Sequence, residues 1–395
     1  MTVTEMRGSE SAITALPKGW RRVRLGEVCE LSKGRTPREE WYSASGVWLV
    51  RFRDVTSSGV NWIAGFRTFV DETYSRELKE LKPGTVLVTA DAHDPKSIGK
   101  KICLISSVPP HASPAYYSGE LLGITPKSGS ELIPELVLYW FQSEDGYREI
   151  QEYVDGVHLN VGHAKDMKIP LPPLAEQKRI MHIVNEQMTA VEKARVAAEA
   201  RLEAAKALPV AYLRAVFEGE EANRWAQRKF DEIAVLQRGY DLPFKNKVAG
   251  KYPLVTSSGI AGYHNEFKAN APGVVTGRSG SIGKVYYITE DYWPHNTSLF
   301  IRDFKGNVPL YIFYFLQWLN TEKVGSGTGV PTLDRKSVHR LTVGYPDIDT
   351  QNHIASILSQ KNAEALKIAK IIQQELETIN ALPASLLRLA FTGGL

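Results

Sequence analysis

The sequence predicts an α+β protein in which two mixed α/β domains alternate with two long helices of coiled-coil type. An internal repeat and the spacing of its apolar residues carry this prediction. Residues 172–219 align without a gap with residues 346–393, at a constant offset of 174. In both copies apolar residues recur at steps of three and four over about 35 positions, which is the period of a long amphipathic helix. A protein with two similar halves suits a target with two similar halves.

The repeat extends beyond the helices, because the beginnings of the two halves also match, at an offset of 205. Positions matched at this offset include Gly34 and Val50 in the first half and Gly239 and Val255 in the second, and a further stretch matches 97–100 with 281–284. The order of the matches is the same in both halves, so duplication of a whole unit explains them better than chance likeness of two helices. The offset falls from 205 at the beginnings of the halves to 174 in the helices, which predicts extra loop residues in the first unit.

These matches divide the chain into five segments. They are an N-terminal extension (1–19), a first mixed domain (20–170), a first helical region (171–219), a second mixed domain (220–345) and a second helical region (346–395).

Each mixed domain is predicted to contain short strands followed by one helix, because β-rich runs lie between clusters of Gly, Pro and Ser. The predicted strands are Val47–Phe52, Thr85–Thr89 and Ile102–Ile105 in the first domain and Val274–Thr276 and Lys284–Thr289 in the second. The predicted helices are Pro134–Tyr153 and Pro309–Asn320, each opening with a proline, as the first turn of a helix allows.

The first long helix is predicted to run from about Leu174 to Leu208, where Pro209 breaks or kinks it, and Pro383 is expected to do the same in the second. Gly219 and Gly393 are expected to cap the helical tails. Helices of this length are uncommon as isolated surface helices, which favours a coiled-coil-like pair. The residues predicted to pair the helices or to dock partners are Ile180, Val184, Val191, Leu202, Phe217, Ile354, Leu358, Ile372, Leu376 and Phe391.

Composition is that of an ordinary globular protein, with a net charge of +4 and two cysteines in 395 residues. Two cysteines form no disulfide framework, the first 16 residues lack the apolar core of a secretory signal, and no apolar run approaches the roughly 20 residues of a membrane span. We therefore expect a cytoplasmic protein. Residues 220–345 carry 16 basic and 11 acidic side chains, so the second domain is the more basic. A basic face is what a nucleic-acid partner requires.

Two glycine-rich strings resemble nucleotide-binding motifs, but neither matches the required pattern. The string GRSGSIGK resembles a phosphate-binding loop but lacks its first glycine and the final Ser or Thr, and GSGTGV does not have dinucleotide-binding spacing. The nine histidines are scattered and form no metal-binding motif. The sequence predicts a chain without catalytic, cofactor or metal sites of its own.

The chain resembles the specificity subunit of Type I restriction-modification systems over nearly its whole length. The resemblance rests on PGVVTGRSGSIGKVYYITEDYWPHNTSLFI from Pro272, LPPLAEQKRI from Leu171 and the terminal LLRLAFTGGL, in a duplicated order of recognition unit and long helix. The first half departs from this pattern, because it has HASPAYYSGELLGI from His111 in place of HNTSLF and extra residues before Ile102.

This resemblance implies that the mixed domains are target-recognition domains, each reading one half of a bipartite DNA sequence. The long helices would pack antiparallel, hold the domains apart and give the chain a pseudo-two-fold axis. Two modification subunits would bind the helices and bring adenine methylation dependent on S-adenosylmethionine. Restriction subunits would add ATP-driven translocation and cleavage. S-adenosylmethionine, ATP and Mg would thus be bound by partner subunits, and this chain would be non-catalytic.

Recognition is expected from loops and strand ends, where binding groups concentrate. Arginine can grip guanine through two hydrogen bonds and asparagine can grip adenine, whereas lysine more often contacts phosphate. The predicted DNA-binding residues are Lys33, Arg35, Arg51, Arg53, Lys96, Lys100, Lys101, Arg238, Tyr240, Lys245, Lys247, Arg278, Ser279, Lys284, His295 and Asn296. Arg51 and Arg278 rank highest, because they adjoin strand-like segments matched in both halves.

Two other functions fit the same residues. One is a stand-alone DNA-binding or scaffold protein without a methyltransferase partner. The other is an enzyme whose active site is assembled from residues distant in sequence. Co-purification with a methyltransferase chain distinguishes the first from the subunit, and methylation or cleavage by the purified chain alone would identify the second.

Overall fold

A computed structural model describes residues 16–56, 59–63, 68–278, 284–323 and 335–395. The chain divides into two compact units. Unit 1 comprises residues up to 196 together with 377–395, and unit 2 comprises residues 197–376. Both units contain an α+β domain, and both contain parts of the long helices α5 (Leu174–Phe217) and α9 (Ile348–Thr392). Among the helices in these ranges, none combines the length and apolarity that crossing a bilayer requires.

The domain of unit 1 contains thirteen described strands and four described short helices. The strands are β1 (Arg21–Arg24), β2 (Cys29–Lys33), β3 (Tyr42–Ser43), β4 (Val47–Val50), β5 (Val55–Thr56), β6 (Gly59–Val60), β7 (Phe69–Val70), β8 (Lys79–Glu80), β9 (Val86–Thr89), β10 (Ile102–Leu104), β11 (Ala115–Tyr117), β12 (Leu121–Pro126) and β13 (Lys168–Leu171). The helices are α1 (Leu25–Val28), α2 (Pro134–Gln142), α3 (Glu144–Glu152) and α4 (Val161–Asp166).

The domain of unit 2 repeats this plan with fewer described strands. The strands are β14 (Ala226–Lys229), β15 (Val235–Arg238), β16 (Tyr252–Thr256), β17 (Gly259–His264), β18 (Gly273–Gly277), β19 (Val285–Ile288), β20 (Trp293–Pro294), β21 (Ser298–Asp303) and β22 (Thr342–Tyr345). The helices are α6 (Phe230–Ile233), α7 (Pro309–Lys323) and α8 (Arg335–His339).

Both domains are organised around a four-stranded antiparallel sheet of the same topology. Its strand order is β10-β9-β12-β2 in unit 1 and β19-β18-β21-β15 in unit 2. A second sheet contains a parallel pair in each domain, β4 with β11 and β16 with β20. A two-stranded ribbon joins the beginning of each domain to its end, β1 with β13 and β14 with β22. The predicted duplication of a whole unit is therefore confirmed.

Each four-stranded sheet is covered on both faces, which explains its continuous apolar strands. In β9, Val86 and Val88 belong to the core formed with helix α2, whereas Leu87 faces the core formed with the second sheet. Strand β18 divides in the same way, with Val274 on the helix side and Val275 on the other. Successive side chains of a strand point to opposite faces, so one buried run serves two cores.

The first predicted domain helix is two helices, because Ser143 interrupts it. The hydroxyl of Ser143 accepts a hydrogen bond from the Gly146 amide at 3.1 Å and so caps α3. The second helix, α7, continues to Lys323, beyond the predicted end.

The two long helices run antiparallel within each unit. In unit 2, Arg201 of α5 lies opposite Glu375 of α9, and the Lys361 ammonium lies 5.4 Å from the Tyr212 ring centroid. In unit 1, the Arg179 guanidinium donates to the main-chain oxygen of Leu395 at 2.7 Å. As one position rises along the chain its partner falls, which is the signature of antiparallel packing.

The prediction that the first long helix ends near Leu208 is wrong, and neither Pro209 nor Pro383 breaks its helix. Pro209 and Pro383 lie inside α5 and α9, which continue to Phe217 and Thr392. Proline costs a helix one hydrogen bond and about 3 kcal/mol. Buried residues on both sides of each proline, such as Ala205 and Leu213 around Pro209, hold the helix in place. Gly393 has the left-handed φ of a C-cap, +77°, but Gly219 is not among the glycines with positive φ.

One glutamine fastens the start of each long helix to its own domain. Gln177 is fully buried, donates to the main-chain oxygens of Glu131 (2.7 Å) and Pro172 (2.9 Å), and accepts from the Ile133 amide at 3.2 Å. Its repeat counterpart Gln351, also fully buried, accepts from the amide before α7 at 3.1 Å and donates to Pro346 at 3.0 Å. These contacts explain why the glutamine occurs in both copies.

Candidate DNA-contact surfaces

Four segments at strand ends converge in unit 1, and we call them the first loop cluster. They are Lys33–Arg35 after β2, Arg51–Asp54 after β4, Thr89–Asp91 at the end of β9 and Ser118–Glu120 between β11 and β12. Main-chain hydrogen bonds join the segments. The bonds are Gly34 N–H to Leu121 O (3.0 Å), Ser118 N–H to Val50 O (2.9 Å) and Ala90 N–H to Glu120 O (2.8 Å).

The same frame recurs in unit 2 as the second loop cluster. Its segments are Arg238–Asp241 after β15, Thr256 at the end of β16, Gly277–Arg278 at the end of β18 and His295–Thr297 between β20 and β21. The corresponding bonds are Gly239 N–H to Ser298 O (3.0 Å), His295 N–H to Val255 O (2.8 Å) and Arg278 N–H to Thr297 O (3.0 Å). Two different loop sequences are thus held by one pattern of main-chain contacts.

A matched glycine makes each frame possible. A Cβ atom at Gly34 would lie 2.2 Å from the Ser118 carbonyl oxygen, and one at Gly239 would lie 2.1 Å from the His295 carbonyl oxygen. Real Cβ atoms do not come so close to backbone oxygens, so only glycine fits. The repeated glycine therefore marks a close approach of two strand ends.

The shared hydrogen bonds define which side chains occupy equivalent positions. The pairs are Lys33 and Arg238, Arg35 and Tyr240, Arg51 and Thr256, Ala90 and Arg278, Ser118 and His295, Gly119 and Asn296, and Glu120 and Thr297. The string SGELLGI from Ser118 is thus the first half's counterpart of HNTSLFI from His295. The main-chain oxygens of Lys101 and Lys284 receive equivalent amides, from Thr89 (3.0 Å) and Gly277 (3.4 Å). This corrects the alignment that placed Lys100 against Lys284.

Carboxylates hold the predicted cations of the first loop cluster. Lys33 Nζ lies 2.6 Å from Asp91 Oδ1, and the same oxygen lies 2.9 Å from His158 Nδ1. Arg51 pairs with Glu120 at 2.8 Å. Each of these cations is thus paired with a carboxylate of the same cluster.

The other two predicted arginines of unit 1, Arg35 and Arg53, are more exposed than Arg51. Arg35 pairs with Glu77 at 2.6 Å and stacks 5.2 Å from the Trp41 ring centroid. Arg53 donates to the Thr68 hydroxyl at 2.8 Å and lies 3.8 Å from the buried carboxylate of Asp54. Surface pairs of this kind add little stability, so their geometry matters more than their energy.

The three predicted lysines between β9 and β10 differ in setting. Lys101 Nζ donates to the Phe52 main-chain oxygen at 3.2 Å and lies 4.2 Å from the Phe52 ring centroid, which ties it to the first loop cluster. Lys96 and Lys100 are exposed, and in the part of the chain that the structure describes neither side chain joins an ion pair. Both suit phosphate contact better than a fixed base contact.

Asp241 organises the second loop cluster. Its Oδ1 atom accepts a hydrogen bond from the Asn296 side-chain amide and lies 3.5 Å from Arg238 Nη2. Tyr240 is partly exposed, and its hydroxyl accepts a hydrogen bond from the Gln237 side chain at 3.0 Å. The cluster therefore presents an arginine, an amide and an aromatic ring side by side.

His295 is a hydrogen-bonding group more than a cation. Its Nδ1 lies 3.2 Å from the Thr297 hydroxyl. Burial and nearby Lys247 lower the pKa of His295, against an opposing effect of Asp241. A neutral imidazole offers one donor and one acceptor, which suits contact with a base edge.

For the remaining predicted residues of unit 2, the burial of the side chain is the main observation. Arg278 is half-buried at the end of β18, and Lys245, Lys247 and Lys284 are exposed. Ser279 lies outside the described residues.

Reasoning from sequence missed the acidic and small members of both clusters. Asp91, Glu120 and Asp241 hold the predicted cations, and Thr256 and Thr297 occupy positions equivalent to charged residues. A search for basic residues passes over them. The matched glycines, followed by comparison of SGELLGI with HNTSLFI, were the signal that could have found Glu120 and Thr297.

The residues predicted to pair the helices lie mostly in the cores. Nine of the ten are buried, and only Val191 is half-buried. Phe391 contacts Trp140 in unit 1, with ring centroids 5.2 Å apart, and Phe217 contacts Trp318 in unit 2 at 5.3 Å. These two phenylalanines therefore anchor helix ends in the domain cores of their own units.

Known proteins share this architecture. One chain from a study of the complex assembly and conformational transition of the type I R-M system superposes with a TM-score of 0.74 at 18% identity, covering 97% of this chain and 100% of that one. The crystal structure of the HsdS subunit from Thermoanaerobacter tengcongensis superposes with a TM-score of 0.62 at 18% identity, covering 98% of this chain and 100% of that one. At this identity the likeness shows a shared fold.

The family relationship comes from the sequence match. The model of the Type I restriction modification DNA specificity domain matches residues 17–198 and again residues 223–378. The two matches follow the internal repeat and cover most of the chain. This chain belongs to the family of Type I restriction modification DNA specificity domains.

Proposed function

We propose that this chain is the non-catalytic DNA-recognition subunit of a Type I restriction-modification complex, and that its two recognition domains each read one half of a bipartite target. One observation carries the proposal. The two domains hold their loop clusters with equivalent main-chain hydrogen bonds but place different side chains at equivalent positions. Two domains that recognise different half-sites require the same main-chain scaffold with different side chains on it.

The chemistry of the two clusters supports contact with DNA. The first offers fixed arginine and lysine side chains, and the second offers Arg238, Tyr240, His295 and Asn296. Arginine, asparagine and histidine can form directed hydrogen bonds to base edges, and the exposed lysines suit phosphates. We propose the sixteen predicted residues as contributors to this footprint, and the predicted segments 20–170 and 220–345 as the two reading domains.

The helical regions are proposed to bind two modification subunits. Both long helices leave large apolar side chains exposed to solvent. The exposed residues are Val196, Val210, Ile348, Leu366, Ile368, Ile371, Leu382 and Leu389. Exposed apolar surface of this kind is typical of protein interfaces. The modification subunits would supply S-adenosylmethionine and adenine methylation, and restriction subunits would supply ATP-dependent translocation and cleavage with Mg, all in the cytoplasm.

The long helices are also proposed to set the spacer between the half-sites. Helix α5 has 44 residues and is therefore about 66 Å long at roughly 1.5 Å per residue. Insertion of about two turns, roughly seven residues, in both helices should keep the helix pairing and lengthen the spacer. The same insertion in one helix should disrupt packing. An unchanged spacer in a well-folded double insertion would rule out this role of the helices.

Selection from a random duplex library tests recognition itself. The full chain, purified with its modification subunits, should enrich two short motifs separated by a fixed number of unread base pairs. Enrichment of one continuous motif, or of none, would contradict bipartite recognition. Recovery of the bipartite motif by the chain in the absence of any methyltransferase from its cell would favour the stand-alone DNA-binding protein.

A further inference from the structure

Glu120 accepts hydrogen bonds at both of its carboxylate oxygens. Its Oε1 atom accepts from Arg51 Nη2 at 2.8 Å, and its Oε2 atom is 3.4 Å from Arg51 Nε. Oε2 also accepts from the Phe52 amide and from the Ser118 hydroxyl, both at 3.2 Å. Donors from a guanidinium, a main-chain amide and a hydroxyl fix both the position and the orientation of this carboxylate.

The carboxylate is ionised at neutral pH. Burial would raise the pKa of Glu120, but the hydrogen bonds from Arg51 and from the Phe52 amide lower it overall. The same bond with Glu120 raises the pKa of Arg51. Both partners therefore carry their charges at neutral pH.

The pairing leaves one edge of the Arg51 guanidinium available. A guanidinium has five N–H donors, and Glu120 uses one on Nε and one on Nη2. Across the described ranges, Glu120 is the only side chain that accepts a hydrogen bond from the Arg51 side chain. The remaining N–H groups of Nη1 and Nη2 form the end-on fork that fits O6 and N7 of guanine. The Arg51 side chain is 37% exposed.

At the equivalent positions of unit 2, which the structure describes, no such pair is present. Thr256 stands at the position of Arg51 and Thr297 at the position of Glu120. Thr297 accepts the Ser257 amide through its hydroxyl, at 3.3 Å, where Glu120 accepts the Phe52 amide. Both units thus keep a side-chain acceptor for this amide, and at the position of Arg51 unit 2 has a threonine, which has no guanidinium.

We infer that Glu120 is a positioning residue for sequence recognition: it holds the Arg51 guanidinium with its end-on fork free, so that the first recognition domain reads a guanine. The inference rests on the proposed function and deepens it. It assigns a guanine to one half-site and names Glu120 as the residue that orients the arginine reading it. Glu120 acts through Arg51 and does not itself contact the base.

Competition binding with the full chain in complex with its modification subunits tests the inference. The DNA probes are the selected bipartite site and a set with each base pair of both half-sites replaced in turn. The variants are Arg51→Ala, Arg51→Lys, Glu120→Gln, and Arg51→Ala with Glu120→Gln. Glu144→Gln serves as the matched control, because Glu144 forms an exposed ion pair with Arg148 at 3.1 Å on α3.

In the unsubstituted complex, replacing one guanine of one half-site should weaken binding by about tenfold or more, which is the range of a bidentate arginine contact. In Arg51→Ala this difference between the two probes should disappear. The same should hold in Arg51→Lys, because lysine keeps the charge but lacks the fork. Glu120→Gln should weaken discrimination at the same guanine, and the double variant should be no worse than Arg51→Ala, since Glu120 acts only through Arg51. The other half-site and Glu144→Gln should be unaffected.

Three results would overturn the inference. One is equal weakening of all probes by Glu120→Gln, which would give Glu120 a structural role. Another is additive loss in the double variant, and the third is unchanged guanine discrimination in Arg51→Lys. If Glu120→Gln fails to fold, Arg51→Lys decides the matter. Failure of the unsubstituted complex to discriminate any half-site base would refute the proposed function instead.

Discussion

Arg201 of α5 donates hydrogen bonds from Nη1 to both carboxylate oxygens of Glu375 in α9, each at 3.1 Å, and the two residues are each other's counterparts in the repeat. They are 174 positions apart, which is the offset of the helical copies. When two antiparallel helices are related by a local two-fold axis, residues near the axis face their own equivalents. Identical charged residues would repel there, and the chain has opposite charges instead.

This relationship predicts the effect of charge reversal. Glu375→Arg places two arginines opposite each other and should lower the free energy of unfolding by about 1 kcal/mol, since exposed pairs at 58% and 42% exposure contribute little more. Arg201→Glu combined with Glu375→Arg should restore stability. Denaturant unfolding in low and high salt measures both effects, and salt should shrink the difference. A double variant no more stable than the single variants would contradict the pairing.

The buried glutamines predict a larger and more local effect. Gln177→Ala leaves the Ile133 amide and two main-chain oxygens without their partner, so it should cost about 3 kcal/mol. Gln187→Ala, in the same helix at an exposed position, should change stability by less than about 0.5 kcal/mol. Denaturant unfolding of the two variants makes the comparison. Equal effects would mean that Gln177 does not fasten the helix to its domain.

The matched glycines predict a steric effect. Gly34→Ala would place a Cβ 2.2 Å from the Ser118 carbonyl oxygen, and moving that strand end should cost about 3 kcal/mol. Gly162→Ala is the matched control, because nothing lies within 4 Å of its Cβ position and alanine favours its helix α4 by up to about 1 kcal/mol. Thermal unfolding should rank the two variants on opposite sides of the parent. A stable Gly34→Ala protein would disprove the close approach.

The two cysteines predict a pH dependence. Burial raises the pKa of both Cys29 and Cys103 to about 12 in the folded chain, against 9.0 for an ordinary thiol. Because the folded pKa is the higher one, the stability contributed by these thiols is fully present below about pH 9 and is lost as pH rises towards 12. At pH 8 an alkylating reagent should modify the native protein far more slowly than the unfolded protein, since the thiolate is the nucleophile. Mass spectrometry measures the two alkylation rates. Equal rates for the native and the unfolded protein would show that the thiols are not buried.

The sequence predicted the parts of the fold that depend on periodicity. Long helices, apolar strands and the duplicated order follow from repeated patterns, and the structure contains them. It failed where tertiary contacts outweigh local preference. Pro209 and Pro383 lie inside helices because buried neighbours hold both flanks, and Ser143 divides a helix because its hydroxyl caps the next one.

The candidate surfaces were predictable in part for a similar reason. Cationic side chains at strand ends are visible in a sequence, and Arg51 and Arg238 lie in the loop clusters. The carboxylates that orient them are distant in sequence, since Glu120 lies 69 positions from Arg51. Only the fold brings such pairs together, so the positioning residues could not be recognised from local patterns.

Methylome sequencing of cells with and without this chain tests the central claim most directly. The account predicts an adenine-methylated motif of two short half-sites with a fixed unread spacer, present with the chain and absent without it. In cells carrying Arg51→Lys, the same motif should lose its requirement for one guanine in one half-site only. A methylome that is identical with and without the chain would contradict the account.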